Sequence, residues 1–381
     1  MELLGILAFV VALLFSVMVH EFGHYLTARK FGMWVSEFFL GFGKKIWSFQ
    51  RGETEFGLKA IPAGGYCKIE GMAPNDELPL GQEDRAFYKA STTKKLVVLG
   101  AGSFLHFVLG FVLLFTLFIG IGTNQVLPDI SEVVPNSAAQ AAGIQAGDEI
   151  TSINGKKVVE WYKDVEAIRQ SQGAQLTLEV DRNGELLTFV TNARLTDVDG
   201  TERYLLGIVN DVGLKRSGLV LSIKNSATVT QSFLTESVKA LGKLPEKIPA
   251  LWGATVRGEE RDASGLVGVV GVARVSGEAV GSDKLSPMER LATFVLIVAS
   301  LNIFVGVFNL LPILPLDGGH MAVAIADAIR AFFARLRGRP RPAPIDVTVL
   351  TPITMVVFVV LATLTLLLLV ADVINPVILN L

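Results

Sequence analysis

Four stretches of this chain are each long and apolar enough to cross a lipid bilayer, and they limit its fold more than any other feature. They run from about Leu3 to Tyr25, Leu96 to Ile121, Leu291 to Leu311 and Val347 to Val370. A bilayer core takes roughly 20 mostly apolar residues per helix, and inside lipid a backbone must satisfy its own hydrogen bonds. Four transmembrane helices are therefore expected. Of the 381 residues 51% are hydrophobic and 18% charged, which excludes an ordinary soluble enzyme. The net charge of -2 supplies no general attraction to nucleic acid, and no nucleic-acid partner is expected. The single cysteine, Cys67, excludes an intrachain disulfide. The first stretch has only Glu2 ahead of it and no small-residue cleavage site behind it, so it reads as a span and not as a signal peptide.

Positive charge in short connections marks the cytoplasmic side. Arg29, Lys30, Lys44, Lys45, Arg51, Lys59 and Lys68 follow the first span, with Lys94 and Lys95 just before the second. Arg330, Arg335, Arg337, Arg339 and Arg341 follow the third. Both connections are expected in the cytoplasm of a multi-pass cell-membrane protein. The N-terminus, the long segment after the second span and the C-terminal tail are then extracytoplasmic. The expected division starts with a first helix at 1–28, a cytoplasmic loop at 29–95 and a second helix at 96–121. An outer domain at 126–210 and an outer region at 211–290 follow. The third helix takes 291–320, a cytoplasmic helix and basic loop 321–346, the fourth helix 347–371 and the tail 372–381.

His20-Glu21-Phe22-Gly23-His24 lies at the inner end of the first span. Residues four apart share a helix face, so His20 and His24 can grip one metal ion while Glu21 stands beside it. Ionisable groups are costly inside a bilayer and are rarely kept there without a use. A chance match on an amphipathic helix is the bland alternative, and an apolar span is a poor place for one. Near the end of the third span the chain reads Asn309-Leu310-Leu311-Pro312-Ile313-Leu314-Pro315-Leu316-Asp317-Gly318-Gly319-His320. Pro312 and Pro315 break the helix, and the two glycines let the backbone turn. Two neutral imidazoles and the Asp317 carboxylate would make the three protein ligands that a catalytic zinc usually has. Asp317 also reads as a cap on a helix from Gly318 to Phe333. These residue types do not by themselves choose zinc over another divalent ion.

Between Val35 and Met72 two strand-like runs flank a turn at Arg51-Gly52-Glu53, which reads as a β-hairpin. It is either a membrane-associated amphipathic sheet or a small surface hairpin, and the pattern favours neither. In the outer segment, Pro135-Asn136-Ser137-Ala138-Ala139, Ala142-Gly143 with Gly147-Asp148-Glu149-Ile150, and Ile153-Asn154-Gly155 resemble bacterial PDZ domains. A helix from Tyr162 to Ser171 and strands from Leu176 to Asp181 and Leu186 to Thr191 complete an α+β reading. Such grooves bind peptides by strand addition; an idle spacer is the alternative. A helix from about Val229 to Leu244 is expected next, interrupted by Pro245 and Pro249. The Gly-rich run Gly265 to Arg274 is too broken for a span and is expected to pack at the outer membrane surface.

The order of these features is similar to that of the site-2 protease family. The resemblance rests on His20-Glu21-x-x-His24, the PDZ insertion, Asn309-Leu310-Leu311-Pro312 and Leu316-Asp317-Gly318. It extends to Gly41-Phe42-Gly43, to Gly52 through Gly57 and to Gly64-Gly65-Tyr66, and so spans nearly the whole chain. Among the members, the chain looks most like bacterial regulators of sigma-factor signalling in the one-PDZ form. One departure is Gly102-Ser103-Phe104-Leu105-His106, where the family often has Gly-Pro-x-x-Asn. His106 reads as a packing or hydrogen-bonding group, with support of a ligand or a metal contact as the lesser alternative. His320 reads as an interfacial or ligand-supporting group.

The resemblance implies an intramembrane zinc metalloendopeptidase. His20, His24 and Asp317 would bind Zn2+, Glu21 would be the general base, and Asn309 would hold the substrate strand or the oxyanion. Asn309 also reads as a hydrogen bond to a neighbouring helix. The implied substrates are single-span membrane proteins already trimmed outside, such as anti-sigma factors, and remnant signal peptides. The PDZ domain would take an extracytoplasmic peptide or substrate segment. Two other classes remain open: a catalytically silent PDZ membrane scaffold, and a metal transporter, since intramembrane His and Asp also mark ion paths.

Overall fold

The computed structural model describes residues 1–79, 81–198, 200–261 and 265–377. Residues 80, 199, 262–264 and 378–381 lie outside the described residues, and with them parts of the expected loop, outer segment and tail. The chain divides into two units, residues 1–120 with 218–381, and residues 121–217. Among the described residues, four helices are long and apolar enough to cross a membrane: Glu2–Lys30, Thr92–Ile121, Pro287–Asn309 and Val347–Ile374. These coincide with the four expected stretches.

Helix α1 (Glu2–Lys30) runs without interruption through the histidine pair and ends where Gly32 turns back with φ 78°. Strands β1 (Val35–Arg51) and β2 (Thr54–Ile69) follow, antiparallel across the expected Gly52 turn. They are more than a hairpin. Phe38 pairs with both Phe56 and Cys67, and Phe39 with both Gly57 and Tyr66. Both strands bend, and the pair curls into four strand segments joined by three ladders, ordered 45–51, 54–59, 35–40 and 65–69. Gly41 makes the bend possible. It has φ 87°, and a Cβ there would stand 2.7 Å from the Ile61 carbonyl oxygen. Tyr25 of α1 packs edge-on against Phe38 and Phe56, which ties the sheet to the helix. Ala28, Val35, Ile69 and Val98 bury together at this junction.

Helix α2 (Thr92–Thr116) starts at Ser91, whose hydroxyl accepts from the Lys94 N–H, and extends by a π turn to Ile121. The second unit begins with β3 (Thr123–Val133), α3 (Ala138–Ala142), β4 (Glu149–Ile153), β5 (Lys156–Lys157), α4 (Trp161–Asp164) and α5 (Glu166–Gln170). It continues through β6 (Gln175–Arg182), β7 (Glu185–Asn192), β8 (Arg194–Val198), β9 (Thr201–Leu205) and β10 (Ile208–Lys215). The main sheet is ordered β10-β3-β4-β6-β7, with β5 on β4. Period-two alternation on β6 sends Leu176, Leu178 and Val180 inward with Ile130 and Ile150, all within 1% exposure. Each such burial is worth about 1.5–3 kcal/mol. Asn183 and Gly184 have φ 57° and 89°, which suits a two-residue hairpin turn. The single helix expected from Tyr162 to Ser171 is two short helices instead. The β8-β9 hairpin, which lacks alternation over a buried face, was not anticipated from the pattern.

The first unit resumes with α6 (Leu219–Gly242) and α7 (Leu244–Trp252). Helix α6 ends at Gly242, close to the expected end at Leu244, but starts ten residues before the expected Val229. Pro245 lies in the first turn of α7, where its missing N–H costs nothing, and α7 runs on through Pro249, where a break was expected. Helix α8 (Val269–Gly281) takes up the expected glycine-rich run from Val269 onward, while residues 265–268 stay irregular. Within the run, Cβ atoms on Gly268 and Gly271 would meet the Asp372 carboxylate, and beyond it Gly277 lies against Gly5 and Ile6 of α1, so these glycines serve close helix approach. Helix α9 (Pro287–Asn309) opens with a capping box between Ser286 and Glu289. Residues 310–316 are irregular, and α10 (Asp317–Leu336) follows. Helix α11 (Thr351–Ile374) closes the described chain.

Candidate metal centre

In lipid, apolar burial gives little drive for helix association, so close backbone approach must supply it. Two glycines bring α1 and α2 together at the histidine pair. A Cβ on Gly23 would stand 2.6 Å from the Ala101 carbonyl oxygen. One on Gly102 would stand 2.5–2.7 Å from three atoms of the His20 ring. The α2 backbone is thus the floor on which His20 lies. Asp317 arrives from the other side as the first residue of α10. Cβ atoms on Gly318 and Gly319 would overlap the backbone of Leu310 through Leu314, so only glycines let the 310–316 loop fold over the helix start. That packing delivers the carboxylate to the histidines.

His20 and His24 are buried, at 6% and 7% exposure. Their Nε2 atoms are 3.0 Å apart. Asp317 Oδ2 lies 3.2 Å from His20 Nε2 and 3.3 Å from His24 Nε2. His24 Nδ1 donates to the Val98 carbonyl at 2.8 Å, which leaves the Nε2 lone pair of the neutral ring pointing at the other two donors. Three donors around a tetrahedral zinc with bonds of about 2.0–2.1 Å stand roughly 3.3–3.4 Å apart. The observed triangle has the donor set and nearly the size such an ion needs. Among the described residues it is the one group of His, Cys, Asp or Glu whose ligand atoms converge this way.

Glu21 does not join the triangle. It is half-buried, and Cys67 on the 65–69 segment, the outermost of the sheet on that side, lies near its carboxylate. Burial, then the Glu21 charge, pushes the Cys67 thiol well above its ordinary range. Asn309 is the last residue of α9, half-buried, and its amide makes no hydrogen bond among the described residues. His320 faces elsewhere, onto a small cavity of about 30 Å³ with Lys95 and Asp327. His106 is fully buried. Its ring centre lies 4.9 Å from that of His20, and its Nδ1 bonds Asn302 Oδ1 at 2.9 Å. It is therefore a hydrogen-bonding group beside the histidine pair. Asn302, at 1% exposure, escaped the sequence reading. A second amide in the same apolar helix, seven residues before Asn309, was the available signal.

A model of peptidase family M50 matches residues 8–358. The chain belongs to this family, the site-2 proteases. It is 33% identical over 409 residues to the zinc metalloprotease Rip1 of Mycobacterium tuberculosis, covering 98% of each chain. It is 34% identical over 405 residues to the zinc metalloprotease Rip1 of Mycolicibacterium smegmatis, again covering 98% of each. This M50 protein is a membrane zinc metalloprotease. The donor set of its buried triangle, two imidazoles and a carboxylate, is the chemistry that zinc takes in hydrolytic sites.

Proposed function

We propose that this M50 protease cuts membrane-spanning segments, with His20, His24 and Asp317 holding zinc and Glu21 moving the proton. The observation that carries the reading is the convergence of His20 Nε2 and His24 Nε2, inside an apolar helix, with Asp317 Oδ2 at the start of α10, all within 3.0–3.3 Å. Zinc held there supplies an acidified water and a polarised scissile carbonyl. Glu21 takes the proton from the attacking water on its carboxylate and returns it to the leaving nitrogen. Asn309 steadies the oxyanion or the substrate strand from the end of α9.

A helical substrate hides its carbonyls in its own hydrogen bonds, so it must unwind and lie extended before it reacts. The 65–69 segment supports this reading, because an outermost strand beside Glu21 has backbone groups able to pair with an extended chain. The substrates are single-span proteins already trimmed outside, such as anti-sigma factors, and remnant signal peptides. Residues 126–210 form a PDZ domain that takes an extracytoplasmic peptide. A cavity of about 790 Å³ bordered by Pro135, Trp161, Arg194 and Ile208 supports that role. In this topology both termini and the PDZ domain are extracytoplasmic and the metal lies toward the cytoplasm.

The test is cleavage of a purified, outer-trimmed single-span substrate in detergent by the wild type and Glu21→Gln. The expected result is a chelator-sensitive cut within the span by the wild type, none by Glu21→Gln, and equal zinc content in both. Equal cleavage by both proteins removes Glu21 from the reaction.

A further inference from the structure

His24 and His20 present matching Nε2 atoms, but only His24 has its other nitrogen held. His20 Nδ1 is buried and has no hydrogen-bond partner among the described residues. A histidine that gives Nε2 to a metal carries its proton on Nδ1, and a buried N–H without an acceptor loses the hydrogen bond that water would have given it. The ring beside it belongs to His106, 4.9 Å away centre to centre and tilted by 40°.

The proton on His106 can be placed by following a chain of bonds from α1. The Ser16 hydroxyl donates to the Ala12 carbonyl at 2.8 Å, so its oxygen is an acceptor for Asn302 Nδ2 at 3.1 Å. The same Nδ2 donates to the Val298 carbonyl at 2.8 Å, which spends both of its protons. Asn302 must then turn Oδ1 toward His106, and it does, at 2.9 Å from Nδ1. An amide oxygen only accepts, so His106 Nδ1 donates. In a neutral ring the remaining nitrogen, Nε2, is left with a free lone pair. Each bond in this chain admits one direction.

We propose that His106 is a positioning residue for His20: its Nε2 accepts the His20 Nδ1–H and holds that ring in the tautomer that offers Nε2 to zinc. A hydrogen bond of about 3 Å between ring nitrogens is within reach of a small ring rotation at this separation. Asn302 acts one step further out by fixing the His106 tautomer. His106 thereby does for His20 what the Val98 carbonyl does for His24. This inference rests on the reading of His20 as a zinc ligand.

The experiment compares wild type, His106→Leu, His106→Gln and His20→Ala in detergent. It measures zinc affinity by chelator competition, the visible spectrum of the cobalt-substituted protein, and melting of the metal-free protein. His106→Leu is expected to lose about 10–100-fold in zinc affinity and to shift the cobalt bands. His106→Gln, whose amide oxygen can take the place of Nε2, is expected to recover most of the affinity and the spectrum. Wild-type affinity and spectrum in His106→Leu would overturn the proposal. So would equal losses in Leu and Gln that track the fall in metal-free melting, since that marks packing alone. If His106→Leu does not fold, Gln decides: near-wild-type affinity supports the proposal, and a loss beyond about tenfold overturns it. His20→Ala separates the two readings. Unchanged zinc affinity there removes the ligand assignment itself, whereas its loss alongside an unaffected His106→Leu removes only the positioning role.

Discussion

Gly102→Ala adds one methyl group to the floor beneath His20. That carbon would stand 2.5 Å from His20 Cε1, 2.6 Å from Nδ1 and 2.7 Å from Nε2. Relaxed contacts between such atoms are about 3.5–4.0 Å, so the ring or the helix must retreat by about 1 Å. Zinc–ligand bonds tolerate only about 0.2 Å, and a misplacement of about 1 Å at a reacting centre costs about 100-fold in rate. That loss corresponds to about 2.7 kcal/mol of transition-state stabilisation. Global stability should change much less. Overpacking costs about 1–3 kcal/mol, while replacing a helical glycine by alanine returns about 0.8–1 kcal/mol. Gly100→Ala, two residues earlier on α2, is the matched control, because its added carbon meets only Met321 Cε at 3.9 Å. The assay is kcat/KM on a single-span substrate, with zinc content and detergent melting recorded for both variants. The expected outcome is a loss of zinc and of about 100-fold in kcat/KM for Gly102→Ala, with Gly100→Ala within about twofold of wild type. Full zinc and activity within about threefold for Gly102→Ala would refute the argument that α2 sets the position of His20.

Asn309→Ala should cost about 100–1,000-fold in kcat if its amide steadies the oxyanion, and little if it only packs; steady-state kinetics on a saturating substrate distinguish them. Asp372 and Arg261 form an ion pair at 0% and 4% side-chain exposure, with the Gly271 N–H also donating to Asp372 at 2.7 Å. Asp372→Ala leaves a buried guanidinium uncompensated and should lower stability by about 3–5 kcal/mol, read as an earlier denaturation midpoint in detergent. In the second unit Asp148 is 1% exposed and pairs with Arg182 through Nε at 2.7 Å and Nη2 at 2.8 Å. Burial raises its carboxyl, but Arg182 and the Gln145 N–H more than offset that and hold it below the usual carboxylate range. Its folded pKa is thus below the unfolded value of about 3.9, so its stabilisation is complete above that pH and is lost as pH falls toward the folded pKa. Hydrogen exchange of β6 in the full chain, corrected for intrinsic rates, should show this acid loss in wild type and not in Asp148→Asn. An identical acid profile in both would exclude Asp148 as the source.

The spans were legible because lipid demands one pattern, an unbroken apolar run, and nothing in the fold competes with it. The strands β6 and β7 and the Asn183-Gly184 turn between them were legible for the same reason: each is set by neighbours a few residues away. Errors came where distant chain decided. The bends of β1 and β2 follow from β1 pairing with both arms of β2, and pairing across such separations has no local signature. Pro245 was read as a break because a proline marks a helix start only when the turn before it has ended. The glycines of the run from Gly265 to Arg274 broke the apolar pattern of a span, yet Gly268 and Gly271 leave the room in which the Asp372 carboxylate lies.

The same division runs through the metal centre. The residues proposed as metal ligands are marked by chemistry, since His20, His24 and Asp317 are ionisable groups in or beside apolar helices. Their supports are marked only by position. Val98 contributes a backbone carbonyl, which any residue has. Gly23 and Gly102 contribute the absence of a side chain. Asn302 and Ser16 contribute to a chain of bonds whose direction exists only when α1, α2 and α9 are side by side. By itself the sequence determined which atoms could bind the metal. Only the tertiary structure decided how close they come and which nitrogen faces inward, because distance and tautomer are set by what packs behind each ligand.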